Sequence, residues 1–149
     1  MVINPVASAL IFPGQGSQTL GMGKALAASF SVARSVFEEA DSNLGFALTR
    51  IMWDGPDSEL NDTANTQPAL FVHSMAALRV LKSFYPTFAP AYVAGHSLGE
   101  LTALAAANTF TFSDGLRLVR TRGELMKEAG MMNPGGMAAI MGLDIPTLD

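Results

Sequence analysis

Gly95-His96-Ser97-Leu98-Gly99 has the G-x-S-x-G spacing of a serine set on a sharp strand-to-helix turn. The apolar segment Tyr92-Val93-Ala94 precedes it and an alanine-rich stretch follows. Glycines two residues either side of Ser97 remove the Cβ atoms that would clash across such a turn. The hydroxyl would then stand at a helix N-terminus, where the Leu98 N–H and the helix dipole can stabilise a developing oxyanion. A structural reading stands beside this one. Ser97-Leu98-Gly99-Glu100 also spells a capping box, in which Ser97 ties down amides and Glu100 reaches back. His96 is a base for Ser97 under neither reading, because neighbours on a sharp turn point apart. It is expected to pack beside the turn.

Two further residues could complete a site. Phe12-Pro13-Gly14-Gln15-Gly16-Ser17-Gln18 follows an apolar run, but Thr19 stands where a dinucleotide fingerprint needs glycine. Met22 follows Gly21 where a phosphate loop needs lysine. The loop can instead aim the Gln15 N–H at a neighbouring oxyanion, or be a tight turn and nothing more. The second residue is Arg122. At 100° per residue, Arg117, Arg120, Glu124, Lys127 and Glu128 share one side of a helix, with Leu116, Leu118, Val119, Leu125 and Met126 opposite. Arg122 falls inside the apolar arc. A buried guanidinium needs an anion, which is either a structural carboxylate or a carboxylate of the substrate. Under the second reading the acyl group carries a free acid, as malonyl does and acetyl does not. Gln67 could cap a helix or line the site, and His73 reads as a surface or satisfied core residue.

The elements that must position these groups follow from apolar period and breakers. Ala9-Leu10-Ile11-Phe12 reads as a buried strand, with helices over Met22–Ala28 and Ser31–Asn43 and a short one around Ile51-Met52-Trp53. Pro68 suits the first position of a helix running to Phe84. Tyr92-Val93-Ala94 is a second strand, followed by a helix from Leu98 to about Asn108. Ser113 is expected to cap a helix ending near Gly130, and Gly136–Leu143 reads as a third strand. Strands separated by helices predict an α/β fold with a parallel sheet.

Composition narrows the chemistry. Of 149 residues, 49% are hydrophobic and 15% charged, which suits a packed core and not a disordered chain. A net charge of −4 with nine scattered basic residues argues against nucleic acid as a partner. With no cysteine and two histidines, thiolate nucleophiles and three-histidine metal sites are excluded. No basic-flanked leader and no membrane-length apolar run are visible, so the expectation is a soluble cytoplasmic protein. The nine methionines read as core filler.

Taken together, Ile11–Gln18, Thr66-Gln67-Pro68-Ala69-Leu70, Gly95–Glu100, Thr121-Arg122-Gly123 and Gly136-Met137-Ala138-Ala139-Ile140 fall in the order and approximate spacing of one family. The chain resembles malonyl-CoA:acyl-carrier-protein transacylases over nearly its whole length. The resemblance implies an α/β-hydrolase-like large subdomain with helices on both faces of a parallel sheet, here residues 1–132. Residues 133–149 would begin an inserted ferredoxin-like subdomain. It implies Ser97 as the acylated nucleophile, Gln15 and Leu98 as oxyanion donors, and Arg122 as the binder of the malonyl carboxylate. Gln67 and His96 would lie near the pocket. Malonyl-CoA and acyl carrier protein are the implied partners, with no tightly bound cofactor, no metal and no membrane. The family's general-base histidine belongs to a second half that this chain lacks, so weak turnover by these residues alone is expected. Two rivals remain: a serine hydrolase or thioesterase on the same scaffold, and a non-catalytic fragment that binds its missing half.

Overall fold

The computed structural model describes residues 8–135 together with 140, 142 and 147. In chain order the elements are β1 (Ala9–Phe12), α1 (Lys24–Ser29), α2 (Ser31–Leu44), α3 (Leu48–Asp54), α4 (Asp57–Leu60), α5 (Thr63–Phe84), β2 (Tyr92–Gly95), α6 (Leu98–Ala106) and α7 (Phe112–Met132). This is an α/β arrangement, mostly helical, with a small parallel sheet. The strand expected over Gly136–Leu143 lies, apart from Ile140 and Gly142, outside the described residues.

β1 and β2 pair in parallel, Ala9 opposite Tyr92 through Phe12 opposite Gly95. Five helices separate them in sequence, as parallel neighbours require a crossover. Because the register aligns their carboxyl ends, the glycine loop after β1 and the serine turn after β2 leave the sheet side by side. His96 N–H extends the pairing to Phe12 O at 3.2 Å. Open parallel sheets bind ligands at this edge.

α5 is the central helix, with α2, α6 and α7 packed around it. Its buried residues include Thr66 to Val72 without interruption, so no solvent face exists along those turns. α2 shows the ordinary pattern: Ala33, Val36, Phe37 and Ala40 form one buried stripe, and Gly45 ends the helix at φ 74°. A short helix at Asp57–Leu60 was not expected from the sequence.

Two helix starts differ from expectation. α5 begins at Thr63, not at Pro68, capped by Asp62 Oδ1 accepting from the Ala64 N–H at 3.0 Å. Pro68 therefore sits inside the helix, where it removes the donor that Ala64 C=O would have used. Arg120 of α7 supplies one instead, Nη1 at 2.9 Å from Ala64 O. α7 begins after Thr111, not Ser113: Thr111 Oγ1 accepts from Asp114 N–H at 3.1 Å and donates to Asp114 Oδ2 at 2.7 Å. This reciprocal cap contributes about 1 kcal/mol.

The apolar arc of α7 divides in two. Leu116, Val119 and Gly123 form a buried stripe against α5, and a Cβ on Gly123 would stand 2.6 Å from Thr63 O. Leu118 and Leu125 stay 45% and 59% exposed, on the side that carries Arg122. Gly123→Ala should force the helices apart and destabilise the chain by about 1–3 kcal/mol. Urea unfolding measures this, and an unchanged midpoint would contradict the close packing.

His73 lies half-buried in α5, and burial lowers its imidazole pKa below the ordinary 6.5. The fold thus favours the neutral ring, and below about pH 6.5 the unfolded chain binds more protons. Stability from this group is complete above that value and is lost as pH falls through the folded pKa. Between about pH 7.5 and about pH 5 the urea midpoint should fall further for wild type than for His73→Gln. Parallel profiles would remove His73 as the source.

Candidate active site

Ser97 occupies φ 53°, ψ −107°, and among described residues only Asn108 is another non-glycine with positive φ. An L-residue at such a φ stores about 1–2 kcal/mol that the surroundings must impose. The backbone on either side explains how. A Cβ on Gly95 would overlap the Gly99 carbonyl, and one on Gly99 would overlap Phe12 O. Three backbone segments thus meet at the end of the sheet with no side chain between them.

The twisted turn points the hydroxyl away from α6. Ser97 makes no side-chain cap, so the capping-box reading is overturned: Gly99 N–H and Glu100 N–H are taken by the backbone oxygens of His96 and Ser97, at 2.8 and 3.2 Å. Instead Ser97 Oγ is exposed and accepts from Arg122 Nη2 at 3.1 Å. Leu98, the first residue of α6, has an amide without an intrahelical acceptor.

Arg122 Nη1 donates to Gln67 Oε1 at 2.7 Å, and Gln67 Nε2 donates to Met126 Sδ at 3.1 Å. Gln67 is fully buried in the second turn of α5, so it does not cap that helix. It holds the guanidinium. Arg50, Arg79, Arg117 and Arg120 each pair with a carboxylate, whereas no described ion pair includes Arg122. The structural carboxylate expected as one alternative is therefore absent among the described residues, and a neutral amide stands in its place. Ser97 and Arg122 line a cleft of about 540 Å³ between α6 and α7, walled by Leu101, Leu118, Leu125 and Met126.

The glycine loop is held against this arrangement from the other side. Gln15 Nε2 donates to Thr63 Oγ1 at 3.0 Å, and Gln18 bridges Gly16 N–H and Asn61 Oδ1, both at 2.8 Å. A Cβ on Gly14 would lie 2.7 Å from His96 Nδ1 and from His96 O. His96 thus packs beside the turn, as expected, on the loop side and not in the cleft wall. His73 lines a different hollow, next to Leu10–Pro13. The Ser97 hydroxyl takes its hydrogen bond from Arg122 and not from either ring.

Arg120 and Thr63 were missed by sequence reasoning. The signal was available for Arg120, because a helix extending before Pro68 leaves one carbonyl needing a donor from elsewhere. A second cleft of about 340 Å³, lined by Phe37 and Trp53 among others, contains none of the expected site residues. No helix among the described residues is long and apolar enough to cross a membrane. No group of three or more His, Asp or Glu among them could hold a metal ion.

The acyl transferase domain family matches residues 9–145. The malonyl CoA-acyl carrier protein transacylase of Haemophilus influenzae is 46% identical over 136 residues, 91% of this chain and 44% of the relative. The Bacillus subtilis protein of the same name is 46% identical over 140 residues, 94% of this chain and 44% of its own. Among solved structures, the acyl-carrier-protein-S-malonyltransferase of Bartonella henselae superposes with TM-score 0.83 at 44% identity, covering 94% of this chain and 46% of that one. A type II PKS acyl-carrier protein in complex with its malonyl-transacylase gives TM-score 0.76 at 48% identity, covering 81% and 39%. The chain thus spans less than half the length of the relatives it matches. The chain belongs to the acyl transferase domain family.

Proposed function

We propose that this chain carries the nucleophile and the acid-binding half of a site that moves malonyl from malonyl-CoA to the phosphopantetheine thiol of acyl carrier protein. One observation carries the reading. Among the described residues Arg122 has no carboxylate partner, yet its Nη2 lies 3.1 Å from Ser97 Oγ. A malonyl ester on Ser97 has a free carboxylate within the reach of the adjoining guanidinium, and planar arginine suits a two-oxygen grip. The malonyl-specific names of the relatives support the same substrate.

The reaction follows as two exchanges at one carbonyl carbon. Ser97 Oγ attacks the thioester, its proton leaves, the C–S bond to CoA breaks, and protonated CoA departs. The carrier thiol then attacks the malonyl-serine ester, and Ser97 regains its proton as the C–O bond breaks. The amides of Leu98 and Gln15 are the donors we assign to the oxyanion of both intermediates. Leu98 has the free first-turn amide for it, and Gln15 is braced by its side chain against Thr63.

The base is a histidine from outside these residues. His96 faces the glycine loop and His73 lies elsewhere on α5, so the chain alone offers no imidazole to Ser97. We further read residues 1–132 as an α/β-hydrolase-like subdomain and 133–149 as the opening of a ferredoxin-like one. A plain esterase or thioesterase is the weaker reading, because a site for uncharged acyl groups gains nothing from an unneutralised arginine in its wall.

Three outcomes test this reading. Prolonged incubation with malonyl-CoA should place a malonyl adduct on Ser97, mapped by peptide mass, and none on Ser97→Ala; a wild-type chain left unmodified would overturn the nucleophile. Arg122→Ala should slow malonyl transfer to Ser97 by roughly 10- to 100-fold, the range of charged hydrogen bonds of about 1.5–3 kcal/mol, while sparing acetyl transfer. Equal loss on both acyl groups would remove the substrate assignment. Turnover by the 149-residue chain at the rate of a full-length relative would refute the external base.

A further inference from the structure

We propose that Arg120 is a positioning residue that sets Arg122, by closing the hydrogen-bond gap that Pro68 opens in α5. Pro68 lacks an N–H, so Ala64 C=O, on a residue only 5% exposed, has no donor within its own helix. A buried carbonyl without a partner is strongly disfavoured. Arg120 Nη1 meets it at 2.9 Å and meets Asn65 Oδ1 at 2.8 Å. The rest of the guanidinium is fixed as well: Nε donates to Glu124 Oε1 at 2.6 Å, and Cζ lies 5.1 Å from the Phe46 ring centroid. The side chain keeps 26% exposure, so it is a clasp inside the helix pair and not a surface ion pair.

The link to Arg122 is geometric. Arg120 grips Ala64 and Asn65, Arg122 grips Gln67, and Gly123 rests on Thr63 O and the Ala64 Cα. These contacts repeat over one turn of each helix and together fix how far along α5 the helix α7 lies. Ser97 belongs to a third element, the start of α6. A slide of α7 along α5 therefore moves Arg122 Nη2 relative to Ser97 Oγ, and oriented groups lose effectiveness steeply with such displacements. Arg120 touches neither the serine nor the cleft wall. It acts through Arg122.

The role predicts a specific rescue. In Pro68→Ala the new N–H can bond Ala64 O within α5, so the clasp becomes dispensable. The Nε–Hε resonance of Arg122, assigned by its loss in Arg122→Lys, reports the guanidinium without any reliance on activity. It should shift and broaden in Arg120→Ala, stay near wild type in Pro68→Ala, and return in the Pro68→Ala/Arg120→Ala double variant. If Arg120→Ala does not fold, Arg120→Gln, too short to reach Ala64 O, takes its place in the cycle. An unmoved resonance in the single variant, or an equal shift in single and double variants, would overturn the proposal. The second arm rests on the transferase reading: the preference for malonyl over acetyl in Ser97 acylation should drop roughly tenfold or more in Arg120→Ala and recover in the double variant. Loss of both acyl groups alike, with no recovery, would show Arg120 to be merely structural. Absence of any Ser97 acylation in wild type would defeat the transferase reading, while the resonance would still decide the positioning role.

Discussion

The first turns of α5 are where the site is assembled, and the other elements take their places from them. Asp62 caps the helix and receives Lys127 from the far end of α7. Thr63 takes the glycine loop through Gln15, and Asn61 just before it takes Gln18. Ala64 and Asn65 take Arg120, and Gln67 takes Arg122. A helix N-terminus has spare donors and a buried helix has few spare acceptors. Here the acceptors are supplied by side chains and by the one carbonyl that proline releases. Loop, α7 and core helix are thereby held in one frame, and only the serine turn enters it from the sheet.

The neutrality of Gln67 decides what Arg122 can do. Had a carboxylate occupied that position, as at the chain's other paired arginines, the charge would be satisfied within the fold. An amide oxygen orients the guanidinium, and no carboxylate among the described residues compensates its charge. Arg122 can therefore meet an incoming anion without first giving up an internal one.

Local signals in the sequence read well, and tertiary exchanges did not. The strand, sharp turn and helix around Ser97 follow from glycines two residues either side, a pattern that short-range sterics dictate. The two strands and the positions of most helices follow from apolar period and breakers. Pro68 misled because proline favours a first helical position, whereas here a donor from α7 makes the interior position tolerable. Ser113 misled because Thr111 is an equally good cap with an aspartate at the right distance. Arg122 was legible as an oddity among apolar residues. Its amide partner was not, because a single helix cannot show which part of an apolar arc meets a neighbour and which borders a cleft. Gln67 looked like a cap for the same reason that Pro68 looked like a start.

At Gly95 and Gly99 the chain has no side chain to yield. Main-chain atoms of the sheet and of α6 lie in direct contact there, and peptide planes deform far less readily than packed rotamers rearrange. The position of the serine turn is therefore set by main-chain contact and not by side-chain packing. The cleft wall on α7 is built of side chains that can change rotamer, whereas the end of the two strands has none to move.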